Sequence, residues 1–213
     1  MSTTFYLIRH GQSMGNLRRE FLGHTDLDLS PLGYEQAEKV EGYLENTPFD
    51  AIYSSDLLRA YHTISHLAAA RGQKITTSTD FREIYAGKWE GQPFSRLEAD
   101  FGEGYLTFRQ NIGEACPEDG ESTWQVGKRV YAKMEALAHA HEGQAVLIST
   151  HATAICMFVC EVLGLAKEER RRVALPTNAS LTIVTYASGR FVLKSYSQDA
   201  YLGEKKTPTP PLA

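Results

Sequence analysis

The chain opens with a short unbroken apolar run, Phe5-Tyr6-Leu7-Ile8, that stops at Arg9-His10-Gly11. A run of that length without alternation is expected of a strand buried on both faces of a parallel sheet. Ser30-Pro31 reads as a helix start, with Ser30 as cap and Pro31 in the first turn. Ala37, Val40 and Leu44 give that helix one apolar face, and Asn46-Thr47-Pro48 ends it. Ala51-Ile52-Tyr53 predicts a second strand, and Ser54-Ser55-Asp56 offers capping oxygens to a following helix with Arg59 in its first turn. A third strand is predicted near Lys74 to Ser78, leading through Asp80-Phe81-Arg82-Glu83 into a loop that runs to Gly91.

Phe94, Leu97, Phe101 and Phe108 recur at helical spacing, but Gly102 and Gly104 interrupt them, which predicts two short helices packed as a cap-like insertion at about 92–121. Ser122-Thr123-Trp124-Gln125 matches a capping box, and Val126, Val130, Met134 and Leu137 extend an amphipathic helix toward residue 141. Ala145 to Ser149 is another buried strand, feeding Thr150-His151 and a helix to about Leu163. Leu181 to Ala187 and Arg190 to Tyr196, joined by Ser188-Gly189, read as a hairpin. The order predicts an α/β fold in one domain over 1–204: a three-layer α/β/α sandwich with a mostly parallel sheet and an antiparallel C-terminal edge. The proline-containing tail, 205–213, is expected to be disordered.

A chain of 213 residues is long enough to bury a full core, and its formal net charge of -4 gives no electrostatic case for nucleic acid or an anionic membrane surface. Positive charge for an anionic ligand must therefore be gathered locally. Cys116, Cys156 and Cys160 have no disulfide-like spacing, and the last two read as helix packing. The N-terminal run lacks the features of a secretory signal, and the longest apolar run, Ala152 to Val159, is too short to span a bilayer. The expected location is cytoplasmic.

In open sheets of this kind ligands bind beyond the carboxyl ends of the strands. His10, Arg59 and His151 lie at or just past such ends. Singly, each reads as a polar residue closing a strand or as a surface helix charge. Together, in a slightly acidic chain, they suit a phosphate ester. Arginine forks match the equatorial oxygens, helix N-termini add donors, and a histidine with one unprotonated nitrogen can attack phosphorus. No metal site is expected: His62 and His66 share a helix face without a third ligand and read as surface histidines.

Arg9-His10-Gly11-Gln12-Ser13-Met14-Gly15-Asn16 resembles the signature of the histidine phosphatase superfamily, the phosphoglycerate mutase-like proteins. Further pieces follow in the family's order: Leu29-Ser30-Pro31-Leu32-Gly33, Tyr53-Ser54-Ser55-Asp56-Leu57-Leu58-Arg59-Ala60, Arg82-Glu83-Ile84 with Gly87-Lys88-Trp89-Glu90-Gly91, Gly120-Glu121-Ser122 and Ser149-Thr150-His151. The resemblance spans residue 5 to about 185 and implies that His10 is phosphorylated, while Arg9, Arg59 and His151 hold the phosphoryl group. It implies further phosphate contacts from Asn16, Gly23 and Ala152, a proton donor in Glu83, structural roles for Glu90 and Glu121, and a supporting one for Asn178. Leu22 stands where many of the family's phosphatases carry a polar residue, and Ala152-Thr153 where a glycine is common.

The stretch from Gln92 to Asp119 is short where the family's mutases usually carry larger insertions, and the segment from Arg82-Glu83-Ile84 to Trp89-Glu90-Gly91 resembles the phosphatase branch, so hydrolysis of a small-molecule phosphomonoester without cofactor or metal is expected. A phosphoglycerate mutase and a non-catalytic phospholigand binder are the alternatives. Asp26-Leu27-Asp28 lacks the buried strand that an aspartyl-nucleophile loop needs before it, and the segment after Cys116 lacks the arginine of a cysteine phosphatase loop. A homodimer is compatible with the sequence, which leaves the organic half of the substrate open. Phe94, Tyr105, Phe108, Arg96 and Arg109 either line the site or fill a small core, and the core role is expected.

Overall fold

The computed structural model describes residues 1–207. Six strands form one sheet in the order β3-β2-β4-β1-β5-β6, comprising β1 (Thr3–Arg9), β2 (Ala51–Ser54), β3 (Ile75–Thr77), β4 (Ala145–Thr150), β5 (Leu181–Ala187) and β6 (Arg190–Gln198). β1, β2, β3 and β4 pair in parallel, while β5 and β6 join antiparallel beyond β1. The hairpin read from Ser188-Gly189 thus closes one edge.

Side chains alternate across the sheet and so face two different cores. Phe5, Leu7, Val146 and Ile148 pack with α5 (Thr123–Ala140) and α6 (Ala152–Val162) on one face. Ile8, Ile52 and Leu147 pack with α2 (Pro31–Leu44) and α3 (Leu58–Ala70) on the other. This is a three-layer α/β/α sandwich. α6 is buried from Ala152 to Cys160, including both cysteines, which explains a helix apolar on every side.

Helix starts follow local chemistry. Ser30 accepts the Gly33 N–H at 3.1 Å with Pro31 in the first turn, and Ser122 forms the expected box with Gln125. α3 differs: Asp56 is drawn away to a bidentate pair with Arg82 (2.8 and 2.5 Å), and Asp26, from a distant loop, accepts the Leu58 N–H at 2.8 Å. A short helix without apolar periodicity, α1 (Met14–Arg18), follows β1 and is capped by Ser13. The insertion is α4 (Phe94–Gln110), broken at Gly102, whose φ of 49° no helix permits. Trp89 anchors it, with Phe21, Tyr105 and Phe108 edge-on at 5.5, 5.7 and 5.8 Å. The expected tail is ordered at its start: the Gln36 amide donates to Lys205 O (2.7 Å) and Thr207 Oγ1 (3.0 Å), tying the chain to α2. The rest of the expected tail lies outside the described residues.

α2 docks tightly on the loop after β1, because Gln12 accepts from Ser30 N (2.8 Å) and Ser30 Oγ (2.7 Å) while its own N–H donates to Gln36 (2.7 Å). A Cβ added at Gly33 would stand 2.1 Å from the Gln12 carbonyl oxygen. Gly33→Ala is predicted to lower the urea unfolding midpoint by the equivalent of about 1–3 kcal/mol with an unchanged slope. A midpoint equal to that of the wild type would show that this contact is looser than described.

Candidate functional site

β1 ends at Arg9, so His10 emerges just past the carboxyl edge, where its N–H is held by Thr150 O of the parallel neighbour β4 (2.9 Å). The His10 ring is buried, with Nδ1 2.6 Å from Gly11 O. A carbonyl only accepts, so Nδ1 carries the proton and Nε2 keeps its lone pair. Burial first, then the Arg59 and Arg9 charges, hold this imidazole well below its ordinary 6.5. The neutral base is therefore the resting form.

Four further expected residues line the same cavity as Arg9 and His10, a recess of about 160 Å³: Asn16, Arg59, Glu83 and Ala152. Arg59, from the first turn of α3, is almost fully buried and donates to Thr25 O (2.9 Å) and Gly23 O (2.8 Å), leaving other N–H groups of its fork. Arg9 donates to Pro176 O at 2.5 Å, and its buried Nε has no partner. Desolvation lowers both guanidiniums, Arg9 to about 10. His151 caps α6 just past β4, its ring centroid 5.1 Å from that of His10, and neither of its nitrogens has a partner. Burial and then Arg59 hold its ring well below 6.5 as well. Buried polar groups without partners are uncommon; Arg9 lines the recess, whereas His151 does not line it and adjoins it through the ring of His10.

Glu83 accepts Ile84 N–H at one oxygen (2.9 Å) and Thr153 N–H of α6 at the other (3.2 Å), so each oxygen keeps a lone pair toward the cavity. Its backbone is held by Arg129, a residue that sequence reasoning missed. Arg129 donates to Asp80 O, Arg82 O and Glu83 O (2.8, 2.9 and 2.9 Å) and forms a fork with Glu121 (2.8 and 2.9 Å). Glu121 is thus the ion-pair partner of Arg129. Position 129 is a polar slot on an amphipathic helix, and nothing in the sequence marks it. Asn16 braces the loop: its Oδ1 accepts from Ser13 N (3.1 Å) and from Asn178 Nδ2 (3.1 Å), and Asn178 also donates to His10 O (3.1 Å).

Gly23 is a correction. Its N–H donates to Glu90 at 3.1 Å, and the residue does not line the cavity, so it is not a phosphate donor. Glycine is needed there for a different reason, since a Cβ would stand 2.3 Å from Ile84 O. Glu90 also accepts from His24, Thr25 and Ala86 N–H groups (2.6, 3.0 and 3.1 Å) and clamps the loop whose carbonyls hold Arg59. A second correction concerns the insertion, where Tyr105 is core but Phe94 and Phe108 line the cavity. Arg96 and Arg109 instead pair with Asp100 (3.2 Å) and Glu98 (2.9 Å). His62 pairs with Asp28 at 2.7 Å. Among the described residues no group of three or more His, Cys, Asp and Glu side chains is placed to hold a metal ion, and no helix is long and apolar enough to cross a membrane.

The three-layer sandwich thus gathers Arg9 from the end of β1, His10 and His151 just past β1 and β4, and Arg59 from the first turn of α3 around an unprotonated imidazole. Residues 5–199 match the histidine phosphatase superfamily (branch 1), and the chain belongs to that family. It is 30% identical over 203 residues to a protein named "Probable phosphoglycerate mutase GpmB" of Yersinia pestis (strain Pestoides F), covering 92% of this chain and 94% of that one. Among solved structures, YhfR of Bacillus stearothermophilus superposes with a TM-score of 0.89 at 26% identity, covering 94% of this chain and 99% of that one. A mycobacterial glucosyl-3-phosphoglycerate phosphatase superposes at 0.85 and 26%, covering 93% and 100%. The phosphoserine phosphatase of Entamoeba histolytica, in complex with 3-phosphoglyceric acid, superposes at 0.82 and 28%, covering 94% and 99%.

Two buried neutral imidazoles have a consequence for stability. Both rings have folded values below the ordinary 6.5, so the unfolded chain takes up protons first as pH falls. Their contribution is complete above about pH 6.5 and is lost below it, by up to about 1.4 kcal/mol per pH unit for each ring. Urea midpoints measured from about pH 7.5 to 5.5 are expected to fall less steeply in a His10→Gln, His151→Gln double variant than in the wild type. Parallel curves would show that the two rings take up protons in the folded protein as readily as in the unfolded chain.

Proposed function

We propose that this protein is a phosphatase that hydrolyses small phosphomonoesters through a covalent phosphohistidine on His10. The observation that carries this reading is the buried His10 ring, whose Nδ1–H is committed to Gly11 O and whose Nε2 is a free base in a recess shared with Arg9, Arg59 and Glu83. In the first step Nε2 attacks phosphorus in line, the bond to the leaving oxygen breaks, and the Glu83 carboxyl gives that oxygen its proton. In the second, water attacks the phosphohistidine, Glu83 takes a proton from it, the N–P bond breaks and inorganic phosphate leaves. Arg9, Arg59 and His151 hold the equatorial oxygens throughout, with the start of α6 at Ala152 adding its dipole. Asn16 and Asn178 keep the loop in place.

Membership of a family with phosphatase structures among its members supports hydrolysis. So does a cavity open to water under a short insertion. We read the chain as one catalytic domain with that insertion as a partial cap, acting in the cytoplasm without a metal. The name of the Yersinia relative favours a second reading, in which the phosphohistidine returns its phosphoryl group to another hydroxyl of phosphoglycerate. A panel of phosphomonoesters assayed with and without chelator separates the two. The mutase reading replaces ours if no ester releases phosphate while 2- and 3-phosphoglycerate interconvert.

Rapid acid-quench after mixing with substrate is expected to trap an acid-labile phosphate on the wild type and none on His10→Ala. Label persisting in that variant would place the nucleophile elsewhere. Glu83→Gln is expected to lower kcat by on the order of 10²–10⁴ while the affinity for inorganic phosphate changes far less. Equal losses in both would remove Glu83 as the proton donor.

A further inference from the structure

The cavity has two walls of different chemistry. The inner wall is the basic, hydrogen-bonding recess around His10. The outer wall is Glu20, Phe21, Leu22, Phe94, Phe108 and Leu175, so the part of a substrate beyond its phosphoryl group would face hydrocarbon and a single carboxylate. This wall is built rather than incidental. Phe21 is buried and meets Phe94 and Phe108 edge-on at 5.9 and 5.2 Å, and Leu22 packs against Gly15. Backbone bonds from Phe21 N to Gln92 O and from Phe94 N to Arg19 O, both 2.9 Å, tie the segment to the start of α4.

We propose that Glu20 and this phenylalanine wall set the substrate class, selecting phosphomonoesters whose alcohol half is apolar and carries no carboxylate. The proposal rests on the phosphatase reading above and names its substrate. Phosphoglycerates and phosphoserine bear a carboxylate that needs a cation or several donors once it leaves water. Among the described residues Arg9 and Arg59 are the only arginines or lysines of the lining, and both belong to the recess shared with His10. The insertion's own arginines are occupied outside the cavity, Arg96 by Asp100 and Arg109 by Glu98. Among the described residues Glu20 lines the cavity and forms no ion pair. A substrate carboxylate there would meet a like charge beside aromatic rings, whereas a small ring or alkyl chain would bury apolar surface on three phenylalanines.

The test compares kcat/KM for phenyl phosphate and for 3-phosphoglycerate in the wild type, Glu20→Gln and Glu20→Lys, with thermal melts confirming that each variant folds. The wild type is expected to favour phenyl phosphate by on the order of tenfold or more, and Glu20→Lys to narrow that ratio about tenfold, chiefly through KM for 3-phosphoglycerate. Glu20→Gln should fall between. A wild-type preference for 3-phosphoglycerate, or a ratio unmoved by either substitution, overturns the proposal. Binding of phenylphosphonate and 3-phosphonopropionate to the same proteins, measured by calorimetry, reads the wall without turnover. The same order of affinities is expected, and equal or reversed affinities sink the proposal even if hydrolysis is observed. Absence of turnover with that order intact would remove the hydrolase reading alone.

Discussion

Everything in this molecule is arranged around two guanidinium groups held out of water beside two imidazoles that must stay uncharged. Removing an arginine from solvent costs several kcal/mol unless its N–H groups find acceptors, and a carboxylate acceptor would also cancel its charge. The protein meets that conflict with backbone carbonyls. Arg59 is held by Gly23 and Thr25, Arg9 by Pro176. A carbonyl satisfies a donor without cancelling its charge, and Glu83 is the carboxylate that shares the recess with the two guanidiniums. Burial first, and then the same arginine charges, hold the rings of His10 and His151 well below their ordinary value.

Carbonyl acceptors work only if the loops bearing them are rigid, and buried carboxylates supply that rigidity from behind. Glu90 gathers N–H groups from residues 23–25 and from Ala86, which fixes the carbonyls that hold Arg59. Glu121 steadies Arg129, which in turn holds the carbonyls from Asp80 to Glu83 and aims the Glu83 side chain at the N-terminus of α6. Glu90 and Glu121 thus stand one layer outside the cavity, and Glu83 is the carboxyl that shares its inner recess with the two arginines. That layering lets a slightly acidic chain carry a basic pocket.

The order of strands and helices was legible because each strand is a short apolar run and most helices have both a cap and an apolar face. The residues at the strand ends were legible for the same reason, since ending a buried strand in Arg-His or Thr-His is chemically unusual. The choice of Glu83 over Glu90 and Glu121 came only from resemblance. What stayed hidden depends on contacts between distant segments. Gly23 looks like a phosphate-loop glycine, yet it is there because Ile84 O and Glu90 press against it. Asp56 looks like a helix cap until Arg82 draws it away and Asp26 takes its place. α1 escaped because a five-residue helix held by a capping box has no periodicity to read.

The insertion shows how the same rule extends from folding to selectivity. Its aromatic residues follow one helical stripe, and that stripe alone assigns all of them to a core. The break at Gly102 turns the second half of α4, so that Tyr105 stays inside with Trp89 while Phe108 reaches the cavity; Phe94 reaches it from the helix start. One rigid aromatic cluster thereby serves both as the core of the insertion and as a wall of the site. A change that loosened the packing around Trp89 would therefore reshape the entrance, whereas the inner recess, held by carbonyls and glutamates on other elements, would keep its form. Separating the two sets of supports allows the outer wall to vary in chemistry without disturbing the group that would react with phosphorus.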